Sequence, residues 1–213
     1  MAEEALDELI QIPTEHYSLE GILQIPAQAN RIVLFAHGTG SSRHSPRNQY
    51  VAQVLREAQI GTLLFDLLTN YEEEVYSTRF DIHLLTNRLL TATQWVRERE
   101  DMKDFHIGYF GASTGAAAAL CAAAELRTDI QAVVSRGGRP DLAGEALESV
   151  EAPTLLIVGG LDDVVIDLNK ESLARLRCKK ELSIVPNATH LFEEPGTLEQ
   201  AAHLAAEWFQ KHL

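Results

Sequence analysis

Apolar positions along the chain follow two rhythms. Six runs of strand length are almost unbroken by polar residues: "RIVLFA" (31–36), "GTLLFD" (61–66), "FHIGYF" (105–110), "QAVVS" (131–135), "TLLIVGG" (154–160) and "ELSIVP" (181–186). Two earlier segments, "ELIQI" and "YSLEGILQI", alternate apolar with polar, as partly exposed edge strands do, and read as an opening hairpin. Between the runs lie stretches of helical character at 47–58, 81–99, 114–126, 141–149, 165–178 and 197–213. In the last of these Leu198, Ala201, Ala202, Ala205, Trp208 and Phe209 recur at helical spacing and give one apolar face.

Strand and helix alternating in this way, with strands apolar on both faces, predict an α/β architecture: a mostly parallel central sheet of about eight strands with helices on both sides. No repeat and no break in composition divides the chain, so 1–213 reads as a single domain. Reactive groups in such a sheet belong at the carboxyl ends of the strands. Only "RGGRPDLAGEALESVEAP" joins the fourth and fifth apolar runs, too little for a large cap. The longest stretch without a clear element is 67–80, a candidate flap over the site.

Composition narrows the function. The chain has 213 residues, 46% of them hydrophobic, enough for one sizeable core. Its formal charge of −13 repels phosphate backbones and anionic lipid, which argues against nucleic acid and membrane as partners. The expected partner is a small-molecule substrate, with a homodimer as the remaining protein contact. An acidic start, "MAEEALDELIQ", and the lack of a long apolar window point to the cytoplasm. Cys121 and Cys178, the only cysteines, have no metal-ligand or redox spacing and fit reduced thiols. No metal and no cofactor are expected. "HGTGSSR" after a strand has the first two glycines of a dinucleotide turn, but Arg43 stands where the close-packing glycine belongs.

The chemistry centres on "GASTG" (111–115), which follows the run "FHIGYF" directly and opens a helical stretch. A nucleophile on a sharp strand-to-helix turn needs glycine or a very small residue two positions before and after it, and Gly111 and Gly115 meet that need. The alternative is Ser113 as a simple helix cap. A serine hydroxyl requires a base and an orienting acid. The later strand ends carry Asp162 and Asp163, then His190, in the order Ser, Asp, His that this turn uses.

From "RIVLFAHGTGSS" through "FGASTG" and "VGGLDDVV" to "NATHLF" the chain resembles the α/β-hydrolases, and within them the small dienelactone-hydrolase-like serine hydrolases. The resemblance implies Ser113 as nucleophile, Asp162 as acid and His190 as base. Asp162 is favoured over Asp163 because Val165 then falls three residues later, as in the family's turn; Asp141, after an earlier strand, is a third choice. One departure is clear: the namesake dienelactone hydrolases carry cysteine at the elbow, where this chain has serine. The oxyanion hole is expected from the backbone N–H of Thr114 and from that of Thr39, with Gly38 as the second choice for the latter.

These residues predict hydrolysis of a small ester, lactone or thioester through an acyl-enzyme. A noncatalytic ligand- or partner-binding module on the same fold is the alternative. Arg43, Arg47, Arg79, Arg136 and Arg139 lie in or beside loops at strand ends, which suggests an anionic substrate held by Arg136 first and Arg43 second. The competing expectation is that these arginines pair with nearby acids such as Glu72 to Glu74.

Overall fold

The computed structural model describes residues 4–213. It contains β1 (Leu6–Pro13), β2 (Ser18–Ile25), β3 (Arg31–Ala36), β4 (Gly61–Phe65), β5 (His106–Ala112), β6 (Ile130–Arg136), β7 (Thr154–Gly159) and β8 (Lys180–Val185). All eight join one sheet in the order β1-β2-β4-β3-β5-β6-β7-β8. β1 and β2 form the antiparallel hairpin, β2 runs antiparallel to β4, and the other neighbours are parallel. The burial follows the sequence rhythm. Every residue of β4 and β7 is buried, whereas β1 alternates between buried and more exposed positions.

Helices cover both faces: α1 (Pro46–Glu57), α2 (Asn70–Glu74), α3 (Ile82–Glu98), α4 (Thr114–Leu126), α5 (Asp163–Arg175) and α6 (Thr197–His212). Leu85, Leu89, Ala92 and Val96 of α3 join the buried alanines of α4 on one side. Val51, Ala52 and Leu55 of α1 join Ala201, Ala202, Ala205 and Phe209 of α6 on the other. Burying these two apolar layers is the main driving force for the fold. α4 is almost entirely inside: Thr114, Gly115, Ala116 to Ala119, Leu120 and Ala122 to Ala124 are all buried. Alanine favours the helix and has minimal volume, so α4 lies close against the sheet.

Three segments differ from their expected form. Pro46 opens α1, where its missing N–H and fixed φ suit the first helical position, and Ser45 caps it by accepting the Asn48 N–H. Residues 67–80 are not an unstructured flap: α2 carries a capping box between Thr69 and Glu72, and a 3-10 turn spans Tyr76–Phe80. Tyr17 and Arg88 also reach Glu72, at 3.1 and 2.7 Å, so the segment is held from below. The stretch expected as a helix at 141–149 is a 3-10 segment, Pro140–Ser149, broken at Gly144, whose φ of 55° interrupts the helical path.

Candidate active site

The sheet order places β3, β5, β6, β7 and β8 side by side, so the loops after these strands meet above one edge. Ser113 stands between β5 and α4 with φ 51° and ψ −124°. A serine in this left-handed region stores on the order of 1–3 kcal/mol of backbone strain. The simple-cap role is not what it performs, since its side chain makes no capping hydrogen bond to α4. The flanking glycines are forced by distance. A Cβ on Gly111 would lie 2.4 Å from the Ala116 Cα, and one on Gly115 would lie 2.1 Å from the Ala36 carbonyl oxygen. Gly38 is equally constrained: its Cβ would come within 2.8 Å of the Ser113 Cβ.

Asp162 and His190 come together as a pair. The carboxylate accepts a hydrogen bond from His190 Nδ1 at 2.7 Å. A carboxylate only accepts, so Nδ1 carries the proton and Nε2 of the neutral ring is left with its lone pair. The two loops are also stitched through backbone: Leu161 N–H donates to the Ala188 carbonyl at 2.9 Å and Gly160 N–H to that of Val185 at 2.8 Å. Asp163 instead opens α5 and is exposed. Asp141, the third choice for the acid, is held by Arg139 through two hydrogen bonds at 2.8 and 2.7 Å.

Ser113 and His190 line one cleft of about 250 Å³, together with Gly38, Thr39, Arg136 and Gly137. Thr39 N–H does not point into open space; it donates to Thr114 Oγ1 at 3.1 Å, and the Thr39 hydroxyl donates to the Arg79 carbonyl at 3.3 Å. His37 anchors this loop. Leu67 N–H donates to His37 Nε2 at 3.0 Å, which fixes the proton on Nδ1, 3.0 Å from the Gly38 carbonyl. Burial pushes the His37 pKa below its usual value, so the ring is neutral. Burial raises both thiols, Cys121 and Cys178, and neither lines the cleft.

The five arginines separate sharply. Arg43 is a correction to the expected substrate contacts: it forms ion pairs with Asp66 and Glu20 and does not line the cleft. Arg79 pairs with Glu73, Arg139 with Asp141 and Arg47 with Glu193. Arg136 is different. It lies opposite Ala112 in the β5–β6 register, is 7% exposed, and donates from Nη2 to Asn48 Oδ1 at 3.3 Å. Its Nη1 has no hydrogen-bond partner, and no carboxylate pairs with it among the described residues.

A model of the family described as "Dienelactone hydrolase family" matches residues 47–213. The chain belongs to the dienelactone hydrolase family. The crystal structure of a dienelactone hydrolase from Anabaena variabilis is 54% identical, covers 99% of each chain and superposes with a TM-score of 0.95. Two curated Mycobacterium tuberculosis proteins, each described as a putative phosphoribosyl transferase, are 56% identical over 207 residues. That alignment takes in 97% of this chain and 47% of theirs, so the chain spans about half the length of the curated relatives it matches. Est1E from Butyrivibrio proteoclasticus, 15% identical with a TM-score of 0.81 over 95% of this chain and 98% of its own, shares the fold. The α/β-hydrolase architecture is therefore that of the family.

This family member also has supports that its sequence did not announce. Glu194 accepts from the Thr189 N–H and hydroxyl at 3.0 and 2.7 Å, which braces the turn that carries His190. Asn169 of α5 donates to the Gly138 carbonyl at 3.0 Å and steadies the loop after Arg136. A hydroxyl donor five residues ahead of an acid was the sole local signal for the first. The second joins positions 31 residues apart and leaves no local trace.

Proposed function

We propose that the chain is a serine hydrolase of small ester, lactone or thioester substrates, working through Ser113, His190 and Asp162. The observation that carries this reading is the 2.7 Å Asp162–His190 hydrogen bond beside a serine in a left-handed elbow, with serine and imidazole lining one cleft. His190 Nε2 takes the Ser113 proton as Oγ bonds to the carbonyl carbon, and Asp162 stabilises the imidazolium that results. The developing oxyanion is held by the N–H of Thr114 and that of Thr39, which exchanges its bond to Thr114 Oγ1 for the oxyanion. His190 then returns the proton to the leaving group as its bond to carbon breaks. Water repeats the sequence on the acyl-enzyme, giving the acid and free serine.

The family and the esterase fold support a hydrolase. The serine, cleft and imidazole together support this choice of nucleophile over either cysteine. The two cysteines are free, which fits a reducing compartment, and we place the enzyme in the cytoplasm. The longer curated relatives favour a second reading, in which this fold serves as a partner module beside a phosphoribosyl transferase. Turnover of nitrophenyl acetate separates the two. Hydrolysis that falls by about a millionfold in kcat in Ser113→Ala, with fluorophosphonate labelling confined to Ser113, is expected. Absence of turnover and of labelling in the wild type would favour the module.

A further inference from the structure

The cleft beside Ser113 has a second feature that ester hydrolysis does not use. None of the described residues that line it is acidic, although the whole chain carries a formal charge of −13. Two of them are arginines, and Ser41, Ser45 and Asn48 add hydroxyl and amide donors. Ser45 Oγ accepts the Asn48 N–H, so its own hydrogen is free to be given to a ligand. Asn48 Oδ1 accepts from Arg136, which leaves its amino group as the donor end. These residues surround the first turn of α1, a helix of 12 residues whose amino end carries partial positive charge.

Arg136 adds the observation that a helix end lacks by itself. The residue is 7% exposed, and its guanidinium donates to that first turn while its buried Nη1 has no partner among the described residues. The Phe110 and Phe192 rings lie 5.8 and 5.9 Å from it and hold it without neutralising it. Burial and the nearby Arg47 push its pKa down to about 10, so it is still charged at neutral pH. A buried charge without a counter-ion is costly, and a bound anion removes that cost. Arg47 is available to help, because its pair with Glu193 at 3.2 Å is partly exposed and weak.

We propose that this cleft binds an acyl substrate carrying a phosphate group, the phosphate lodged between Arg136 and the first turn of α1 with its ester carbonyl at Ser113. The donors outnumber the two oxygens of a carboxylate, and two guanidiniums match a phosphate of charge near −1.5 to −2. The substrate part of this assignment rests on the hydrolase reading; the anion site does not.

The test reads binding without turnover. Inorganic phosphate, at tens of millimolar, is expected to raise the melting temperature of the wild type by several degrees. Acetate and chloride at matched ionic strength should leave it unchanged, and Arg136→Gln should lose the phosphate shift. No shift in the wild type, an equal shift with acetate, or an undiminished shift in Arg136→Gln would each overturn the proposal. Should that variant fail to fold, competition in the wild type decides: phosphate is expected to slow fluorophosphonate labelling of Ser113 at least tenfold, and no slowing counts against it. If Ser113 never labels while phosphate still shifts the melting temperature, the hydrolase reading has failed and the anion site stands.

Discussion

Two parts of the cleft that holds Ser113 contrast: in one the His190 imidazole is backed by the Asp162 carboxylate at 2.7 Å; in the other the Arg136 guanidinium has no carboxylate partner among the described residues. The first side is complete by itself. Its acid fixes the tautomer, and the pair is ready before any substrate arrives. The second side is unfinished, since its charge is buried against two aromatic rings and one amide. A compensated group prepares chemistry, whereas an uncompensated one prepares selection, because only the right ligand relieves it. His37 shows a third arrangement, a titratable group bonded to backbone alone and kept neutral by its burial.

Removing the acid from the complete side should have the largest effect. Asp162→Asn is expected to lower kcat for a nitrophenyl ester by about 10⁴, since the amide favours the wrong tautomer of His190. Asp163→Asn, on the exposed start of α5, should stay within about threefold. Equal losses in the two variants would assign the acid wrongly. On the unfinished side the sign reverses for stability. Arg136→Met deletes a buried unpaired charge at similar volume and should raise stability by about 1–2 kcal/mol, read as a melting temperature a few degrees higher without phosphate. A lower melting temperature would mean that the guanidinium holds the loop together, and the contrast between the two sides would lose its meaning.

The smallest effect concerns His37. Its folded pKa lies below the ordinary value of 6.5, so the unfolded chain binds the proton more readily. The stability this burial supports is present above pH 6.5 and is lost as pH falls from there through the folded value. Urea unfolding between about pH 5 and 7 should show a shallower pH slope in His37→Gln than in the wild type. Parallel slopes would show that His37 is no more buried against protons than an exposed histidine.

Much of this was legible in the sequence, for reasons that differ by residue. The central strands stood out because a parallel strand covered on both faces must be apolar throughout. Gly111 and Gly115 were legible because contacts of 2.4 and 2.1 Å leave no alternative to glycine. The fates of the arginines were hidden. Arg136 ends a strand and Arg43 lies in the loop after one, but Arg43 meets Asp66 and Glu20, each 23 positions away, and Arg136 meets no carboxylate among the described residues. Pairing over that distance depends on sheet order, which local patterning does not contain. The 67–80 segment was hidden for the opposite reason. Its elements are so short that Thr69, Glu72 and Arg88 define them more than any apolar rhythm.

The alanines of α4 set a limit on how this molecule changes. With Ala116 to Ala119 and Ala122 to Ala124 already buried against their neighbours, the helix beneath the serine has almost no smaller side chain left to adopt and no space for a larger one. Variation in substrate preference therefore has to enter through the loops that supply Thr39, Gly137 and His190 and through the first turn of α1, which supplies Arg47, all of which reach the cleft from outside that helix. The serine is the fixed point, and the cleft around it is the adjustable part.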